Sequence, residues 1–242
     1  MPVTALVPLA TRLRLARLAV VVPPESVGPE AADFAAHGAD LLVLTKGDRS
    51  VDDVVAAVDT VRRRLVGLTT LVAVDDKEVA EKSMADVLFI KRPSWLPFGI
   101  EKPHEFALLG RSIDDADDMD KIDGEPFSFA FVGPAVDDDA ADPRIEEMAE
   151  RYNPTELPAN PVWFAAGGVS SANVANVLSA GARRVTVSTA IFEAEDPFAE
   201  TKAIADLVTA AWRADENSAA YGEQAFNEFA PRPSDVRGEL RR

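Results

Sequence analysis

Short, almost wholly apolar runs alternate with amphipathic or polar stretches along most of this chain, and that rhythm constrains its fold more than any other feature. The runs occupy residues 18–22, 41–44, 71–74, 87–90, 106–109, 127–132, 162–166 and 184–191. A strand buried on both faces reads as a continuous apolar run, not as an alternation of apolar and polar residues. The stretches between them read as helices over 31–36, 51–65, 77–84, 114–122, 145–152, 174–178 and 197–212. Ser50 with Asp53 caps one whose Val51, Val54, Val55, Val58, Val61 and Leu65 form a single apolar face. Strands alternating with helices imply a parallel sheet. About eight such units in about 200 residues close an α/β (β/α)8 TIM barrel. An open doubly wound sheet is the alternative, but no Gly-x-Gly-x-x-Gly follows the first run.

Residues 1–17 then form an N-terminal extension, 18–213 the barrel and 214–242 a polar, loosely ordered tail. Phe226 and Phe229 offer a second reading of that tail, as a docking segment or lid. The segment 93–103, with three prolines, reads as irregular. A formal net charge of −16 speaks against nucleic acid or an anionic membrane surface as partner. The chain has no cysteine, which excludes disulfides, thiolate catalysis and sulfur-ligated metal. With His37 and His104 as its only histidines, a multi-histidine metal site is not expected. No apolar run approaches the ~20 residues that cross a membrane. No signal-cleavage pattern follows the run that Pro23 and Pro24 end. The expected location is the cytoplasm, and self-association into a homo-oligomer is left open.

The candidate site lies near the C-terminus. Residues 162–166 end in Gly167-Gly168, and Ser-Ser-Ala-Asn then opens a helix; the next apolar run ends in Ser188-Thr189-Ala190. Backbone N–H groups at a helix start lack intrahelical partners and bind anions, and glycine lets a phosphate approach the main chain. Two such turns in tandem match the phosphate site after strands 7 and 8 of a TIM barrel, although two ordinary strand-to-helix turns would read the same way. Gly167, Gly168, Ser188, Thr189 and Ala190 are therefore the candidate phosphate-binding residues, and a small phosphorylated molecule is the expected ligand. Asp75 and Asp76, after the third strand, are candidate Mg2+ ligands or helix caps. Lys46, Lys91 and Arg92 could hold a second anionic group or simply be solvated. Ser112 is placed to cap the helix over 114–122.

Taken in order, these stretches resemble the thiamin phosphate synthase and thiazole tautomerase (TenI-like) superfamily from about Leu18 to Trp212. The likeness is strongest in Phe164-Ala165-Ala166-Gly167-Gly168-Val169 with Asn173-Val174, and in Gly181-Ala182-Arg183-Arg184 through Ile191. Weaker matches are Gly38-Ala39-Asp40-Leu41-Leu42-Val43-Leu44, Leu71 to Asp75, Ala85-Asp86-Val87, Leu109-Gly110-Arg111-Ser112 and Phe131-Val132-Gly133-Pro134. The resemblance implies a reaction in which a pyrimidine methyl diphosphate loses its diphosphate with magnesium's help and the pyrimidine cation is trapped by a thiazole phosphate. Members supply Gln-Leu-Arg-x-Lys after strand 2, Asn-Asp after strand 3, an Asp after strand 4 and a Thr-x-Thr-Lys-type loop after strand 6. Here Val43 stands at the glutamine, Thr45 at the arginine and Gly47 at the lysine, with Lys46 beside it. Val74 replaces the asparagine while Asp75 is retained, Lys91-Arg92 stands at the second aspartate, and the strand-6 loop is Asp137-Asp138-Asp139. Ser112 matches a retained serine. Two residues on, where the tautomerase branch has its proton-transfer histidine, this chain has Asp114. Ser112 and Asp114 are the candidate catalytic residues. Three functions fit: a divergent synthase with Mg2+ at Asp75, a TenI-like thiazole isomerase, or a non-catalytic barrel that keeps the phosphate site for a ligand or protein partner.

Overall fold

The structure, a computed structural model, describes residues 7–91, 101–122, 127–157 and 160–228, with the backbone alone at 121, 122 and 228. The first six strands are β1 (Leu18–Val22), β2 (Leu41–Leu44), β3 (Leu71–Val74), β4 (Val87–Ile90), β5 (Leu108–Ile113) and β6 (Phe129–Val132). A two-residue antiparallel hairpin follows, β7 (Val136–Asp137) and β8 (Ala140–Ala141), then β9 (Val162–Ala166) and β10 (Val185–Val187). All but the hairpin strands pair in parallel and close a barrel in the order β1-β10-β9-β6-β5-β4-β3-β2. The helices are α1 (Leu9–Leu15), α2 (Asp33–Ala36), α3 (Val51–Arg64), α4 (Lys77–Ser83), α5 (Ala116–Ile122), α6 (Pro143–Arg151), α7 (Val174–Ser179), α8 (Thr189–Phe192), α9 (Pro197–Ala214) and α10 (Ser218–Glu228). The chain is thus an α/β (β/α)8 TIM barrel. Among the described residues no helix is long and apolar enough to cross a membrane.

Alternation along each strand sorts the apolar side chains into two shells. Leu42 and Leu44 join the layer between strands and helices, whereas Leu41 and Val43 point inward with Ala73, Val87, Phe89, Phe129, Phe131 and Phe164. The inner phenylalanines stack on one another, with Phe89 and Phe131 at 4.5 Å and Phe131 and Phe164 at 5.6 Å between centroids. Gly110 makes this possible, because a Cβ there would sit 2.2 Å from Cζ of Phe129. Leu13 and Ala16, at the end of α1, join the inner cluster at the N-terminal end of the strands.

Three segments differ from expectation. The fifth strand runs over 108–113 instead of 106–109, with Phe106 exposed ahead of it. Its Gly110 and Ser112 face the crowded interior, so a buried strand there carries no apolar run. The expected eighth strand over 184–191 divides into β10 and the short α8, with Ser188 at the joint. Residues 218–228, read above as loosely ordered, form α10 against α1. Tyr221 and Ala225, four apart, bury one face of that helix, and Thr11 Oγ1 donates to the Ala225 carbonyl at 2.9 Å. Two buried residues leave too short an apolar stripe to stand out in a sequence. Buried Arg184, at the foot of β10, reaches the Tyr221 hydroxyl at 3.1 Å, so α10 sits at the end of the barrel opposite the Gly167-Gly168 turn and is no lid. Burial draws the Arg184 guanidinium's pKa down, and Tyr221 partly offsets this. Phe226 is half exposed, and Phe229 lies outside the described residues.

Candidate functional site at the barrel mouth

The cradle is built from backbone. Gly167 and Gly168 follow β9 with φ of 97° and 78°, a region that other L-residues enter only with strain. The turn is pinned from three sides. Ala135 N–H donates to the Gly167 carbonyl at 3.1 Å, and buried Asn173 donates to the Gly168 carbonyl and accepts from Ser170 N–H, both at 2.9 Å. Glu200 accepts from the N–H and the hydroxyl of Ser171 at 2.8 and 2.7 Å. The hairpin β7–β8 lies over Gly168, whose Cβ, if present, would be 3.0 Å from Cβ of Val136. On the neighbouring strand, Ser188 places no capping side chain on α8, so the opening N–H groups of that turn keep no side-chain partner. The Ser188 hydroxyl itself donates to the Val21 carbonyl at 2.8 Å.

All five expected phosphate-site residues, Gly167, Gly168, Ser188, Thr189 and Ala190, line one cavity of about 720 Å³. Val21, Val43, Phe89 and Phe131 make its floor and far wall apolar. Ser112 and Asp114 line it from the end of β5. Ser112 lies within the strand, opposite Phe131 in the ladder, so it caps no helix; Asp115 does, accepting from Asp118 N–H at 2.9 Å.

Arg144, which the sequence reading passed over, ties the ends of β5 and β6 together. Its Nη1 donates to the carbonyls of Asp114 and Gly133 at 2.9 and 3.1 Å, and its Nε bonds Asp142 at 2.7 Å. Burial pushes the Asp142 carboxyl up, but the hydrogen bonds and charge of Arg144 outweigh it and hold the carboxyl below its ordinary value. Thr186 was also missed; it lines the cavity just below Ser188.

No family model matches the chain. Curated relatives do. The thiamine-phosphate synthase of Mycobacterium sp. (strain JLS) is 29% identical over 223 residues, which cover 83% of this chain and 96% of that protein. The thiamine-phosphate synthase of Thermobifida fusca (strain YX) is 31% identical over 201 residues, 78% of this chain and 90% of its own length. This chain belongs to the thiamine-phosphate synthase family. A thiamine phosphate pyrophosphorylase from Pyrococcus furiosus shares its fold, with a TM-score of 0.67 at 21% identity over 83% of this chain and 98% of that one.

The end of the mouth formed by β2, β3 and β4 is held by side-chain pairs. Asp75 accepts the Lys46 N–H through Oδ1 at 2.7 Å and the Lys91 ammonium through Oδ2 at 3.2 Å. Asp76 caps α4 by accepting from Val79 N–H at 3.0 Å, with its other oxygen 3.9 Å from Lys46 Nζ. Thr45 is buried and donates to the Val22 carbonyl at 2.8 Å. Of Thr45, Lys46, Asp75, Asp76 and Lys91, only Lys91 lines the cavity. Arg92 lies outside the described residues. Among the described residues no three His, Cys, Asp or Glu side chains gather closely enough to hold a metal ion. Mg2+ asks for near-octahedral oxygen coordination. Here one oxygen of Asp75 is taken by a backbone N–H and the other by the exposed Lys91 ammonium, so these side chains do not fit the ion as arranged.

Proposed function

We propose that this family member binds a phosphorylated heteroaromatic of the thiazole-phosphate or thiamin-phosphate type, with the phosphate on the Gly167-Gly168 and Ser188-Thr189-Ala190 turns and the ring over Phe89 and Phe131. The observation that carries the reading is the convergence of both glycine- and serine-bearing turns on one cavity with an apolar floor. Such a cavity suits a small ligand with one strongly polar end. Phosphate would be met by main-chain N–H groups of the two turns, which need no side-chain cation.

The diphosphate end is a different matter. Breaking a bond to diphosphate concentrates negative charge on the leaving group, which calls for cations aimed at it. Among the described residues the cavity offers Lys91, already paired with Asp75, and has Asp114 and Glu193 in its lining as well. Binding without synthase turnover follows from that balance. The identity to the Thermobifida fusca synthase favours the second reading, a working synthase whose cations approach only with the substrate. A third, TenI-like isomerisation, rests on Asp114 moving a proton, since it stands in the cavity wall beside Ser112.

Calorimetric titration with thiazole phosphate, with and without Mg2+ and the pyrimidine methyl diphosphate, separates these. Binding without diphosphate release supports the proposal. Mg2+-dependent diphosphate release replaces it with the synthase, and isomer turnover without metal replaces it with the isomerase. No heat under any condition removes the thiazole-phosphate reading altogether.

A further inference from the structure

Arg144 is anchored where the strand ladder stops. β5 ends at Ile113 and β6 at Val132, so the carbonyls of Asp114 and Gly133 are the first beyond the paired residues. A guanidinium presents its N–H groups in a fixed plane, and Nη1 of Arg144 meets both carbonyls, at 2.9 and 3.1 Å. The plane is held in turn by Asp142, the N-cap of α6, whose Oδ1 accepts from Nε at 2.7 Å and from the Arg144 N–H at 3.0 Å. Asp142 also donates its own N–H to the Ala135 carbonyl at 2.9 Å. Residues 142–144 therefore grip the segment 133–135 by both of its ends. The other side of that segment lies against the Gly167-Gly168 turn. Ala135 N–H donates to the Gly167 carbonyl at 3.1 Å, and a Cβ on Gly167 would stand 3.3 Å from Cα of Pro134.

We infer that Arg144 is a positioning residue: by fixing Gly133 and Ala135 it aims the Gly167-Gly168 turn, and with it the main-chain N–H groups that would meet a phosphate. The inference rests on the reading above, that the phosphate sits on this turn. Arg144 is not among the residues that line the cavity, so it acts through its neighbours and not by touching the ligand. Gly133 and Pro134 do line the cavity. A Cβ on Gly133 would lie 2.1 Å from the Ala166 carbonyl oxygen, so a shift of Gly133 is passed directly to the end of β9 that carries the turn. The charge of the guanidinium is offset by Asp142 against it, which leaves geometry as its contribution. Lysine would keep that charge but not the planar fork that meets two carbonyls and a carboxylate together.

The test uses the full chain and 2-(4-methylthiazol-5-yl)ethyl phosphate, titrated by calorimetry and followed by phosphorus NMR of the bound ester. Arg144→Met should weaken binding by about tenfold, the worth of one hydrogen bond to a charged group left misaimed, and should shift the phosphorus resonance of the bound ester. Tyr221→Phe, whose cost falls at the far end of the barrel, controls for lost stability and should leave both readouts at their wild-type values. Arg144→Lys should also bind more weakly than the wild type, by a factor that stays the same between about 0.05 and 0.5 M salt. Should methionine impair folding, as read from the melting curve, the lysine variant carries the test. A folded Arg144→Met protein that binds as tightly as the wild type overturns the inference, as does an equal loss in Arg144→Met and Tyr221→Phe. Wild-type affinity in Arg144→Lys, or a loss that salt removes, assigns the effect to charge and overturns it as well. Each of these leaves the site reading standing, whereas a wild type that does not bind the ester overturns both.

Discussion

Gly168 holds φ at 78°, and a Cβ at that position would meet Cβ of Val136 at 3.0 Å and the Val136 carbonyl oxygen at 3.5 Å. Gly168→Ala thus imposes two separable costs. Left-handed backbone costs an L-residue about 1–2 kcal/mol. Pressing a methyl group against the hairpin adds about 1 kcal/mol, the low end for overpacking, because a two-residue strand can give by a few tenths of an ångström. The sum is about 2–3 kcal/mol, which for a chain of this size lowers Tm by about 4–12 °C. The same strain moves the N–H groups of the turn, so thiazole-phosphate affinity should fall by about tenfold or more. Adding Val136→Gly removes the Cβ that the new methyl would meet, an atom alanine keeps, and leaves the φ as it is. Measured against Val136→Gly alone, Gly168→Ala should then cost about 1 kcal/mol, or about 2–4 °C, less than it costs the wild type. Differential scanning calorimetry on the four proteins, with ligand titration, reads all of this. A Gly168→Ala protein that melts with the wild type shows that the turn does not need its left-handed residue. One that folds and binds as tightly as the wild type shows that the phosphate sits elsewhere.

Lys91→Asp should turn the Asp75 ion pair into a pair of carboxylates and create weak Mn2+ binding, with Kd on the order of 10⁻⁴–10⁻³ M, detected by electron paramagnetic resonance. A wild type that already binds Mn2+, and loses it on Asp75→Asn, would contradict the misfit described for the metal. Asp142 is held below its unfolded value of 3.8, so the stability it contributes is full above that pH and is lost as pH falls through the lower, folded value. The melting temperature of the wild type should therefore drop more steeply below about pH 4 than that of Asp142→Asn, and parallel curves would refute the pairing. Tyr221→Phe removes one acceptor from buried Arg184 and should cost about 1–2 kcal/mol in chemical denaturation, with ligand affinity unchanged because α10 is remote from the mouth.

Six of the eight barrel strands could be placed within a residue or two from their apolar runs, because a parallel strand buried on both faces must be apolar throughout. β5 was misplaced for the same reason in reverse. Gly110 yields its space to Phe129, and Ser112 faces the cavity, so the strand that carries part of the site reads as polar. The end of β10 was blurred because α8 is as apolar as the strand before it. The two turns after β9 and β10 were legible as turns, since Gly167-Gly168 and Ser188-Thr189-Ala190 end their apolar runs with small residues. Arg144 and Thr186 were not. An arginine two residues after its aspartate looks like a surface pair, and nothing in a linear sequence shows that its other nitrogens reach Asp114 and Gly133. A threonine in a strand is ordinary until its face of the strand is known to line a cavity.

The two ends of the mouth differ in what they are made of. On the proposed reading the ligand-facing groups at β9 and β10 are main-chain N–H groups, and the sequence has only to avoid side chains that would block them or hold the turn in another shape. Gly167, Gly168, Ser188 and Ala190 satisfy that demand with little chemistry of their own, and Asn173 and Glu200 hold the turn from behind. At β2, β3 and β4 the resemblance calls for particular charged and amide side chains, each of which one substitution removes. Val43, Thr45, Val74 and Lys91 stand at four such positions, and the retained Asp75 has been drawn into pairing with Lys91. On the reading proposed above, such a barrel would keep its grip on a phosphate while lacking the means to pull a diphosphate away. Restoring one cation there should therefore not restore turnover. Only a variant that frees Asp75 and supplies cations on β2 at the same time should release diphosphate, and release from a single Thr45→Arg change would show that the end was intact all along.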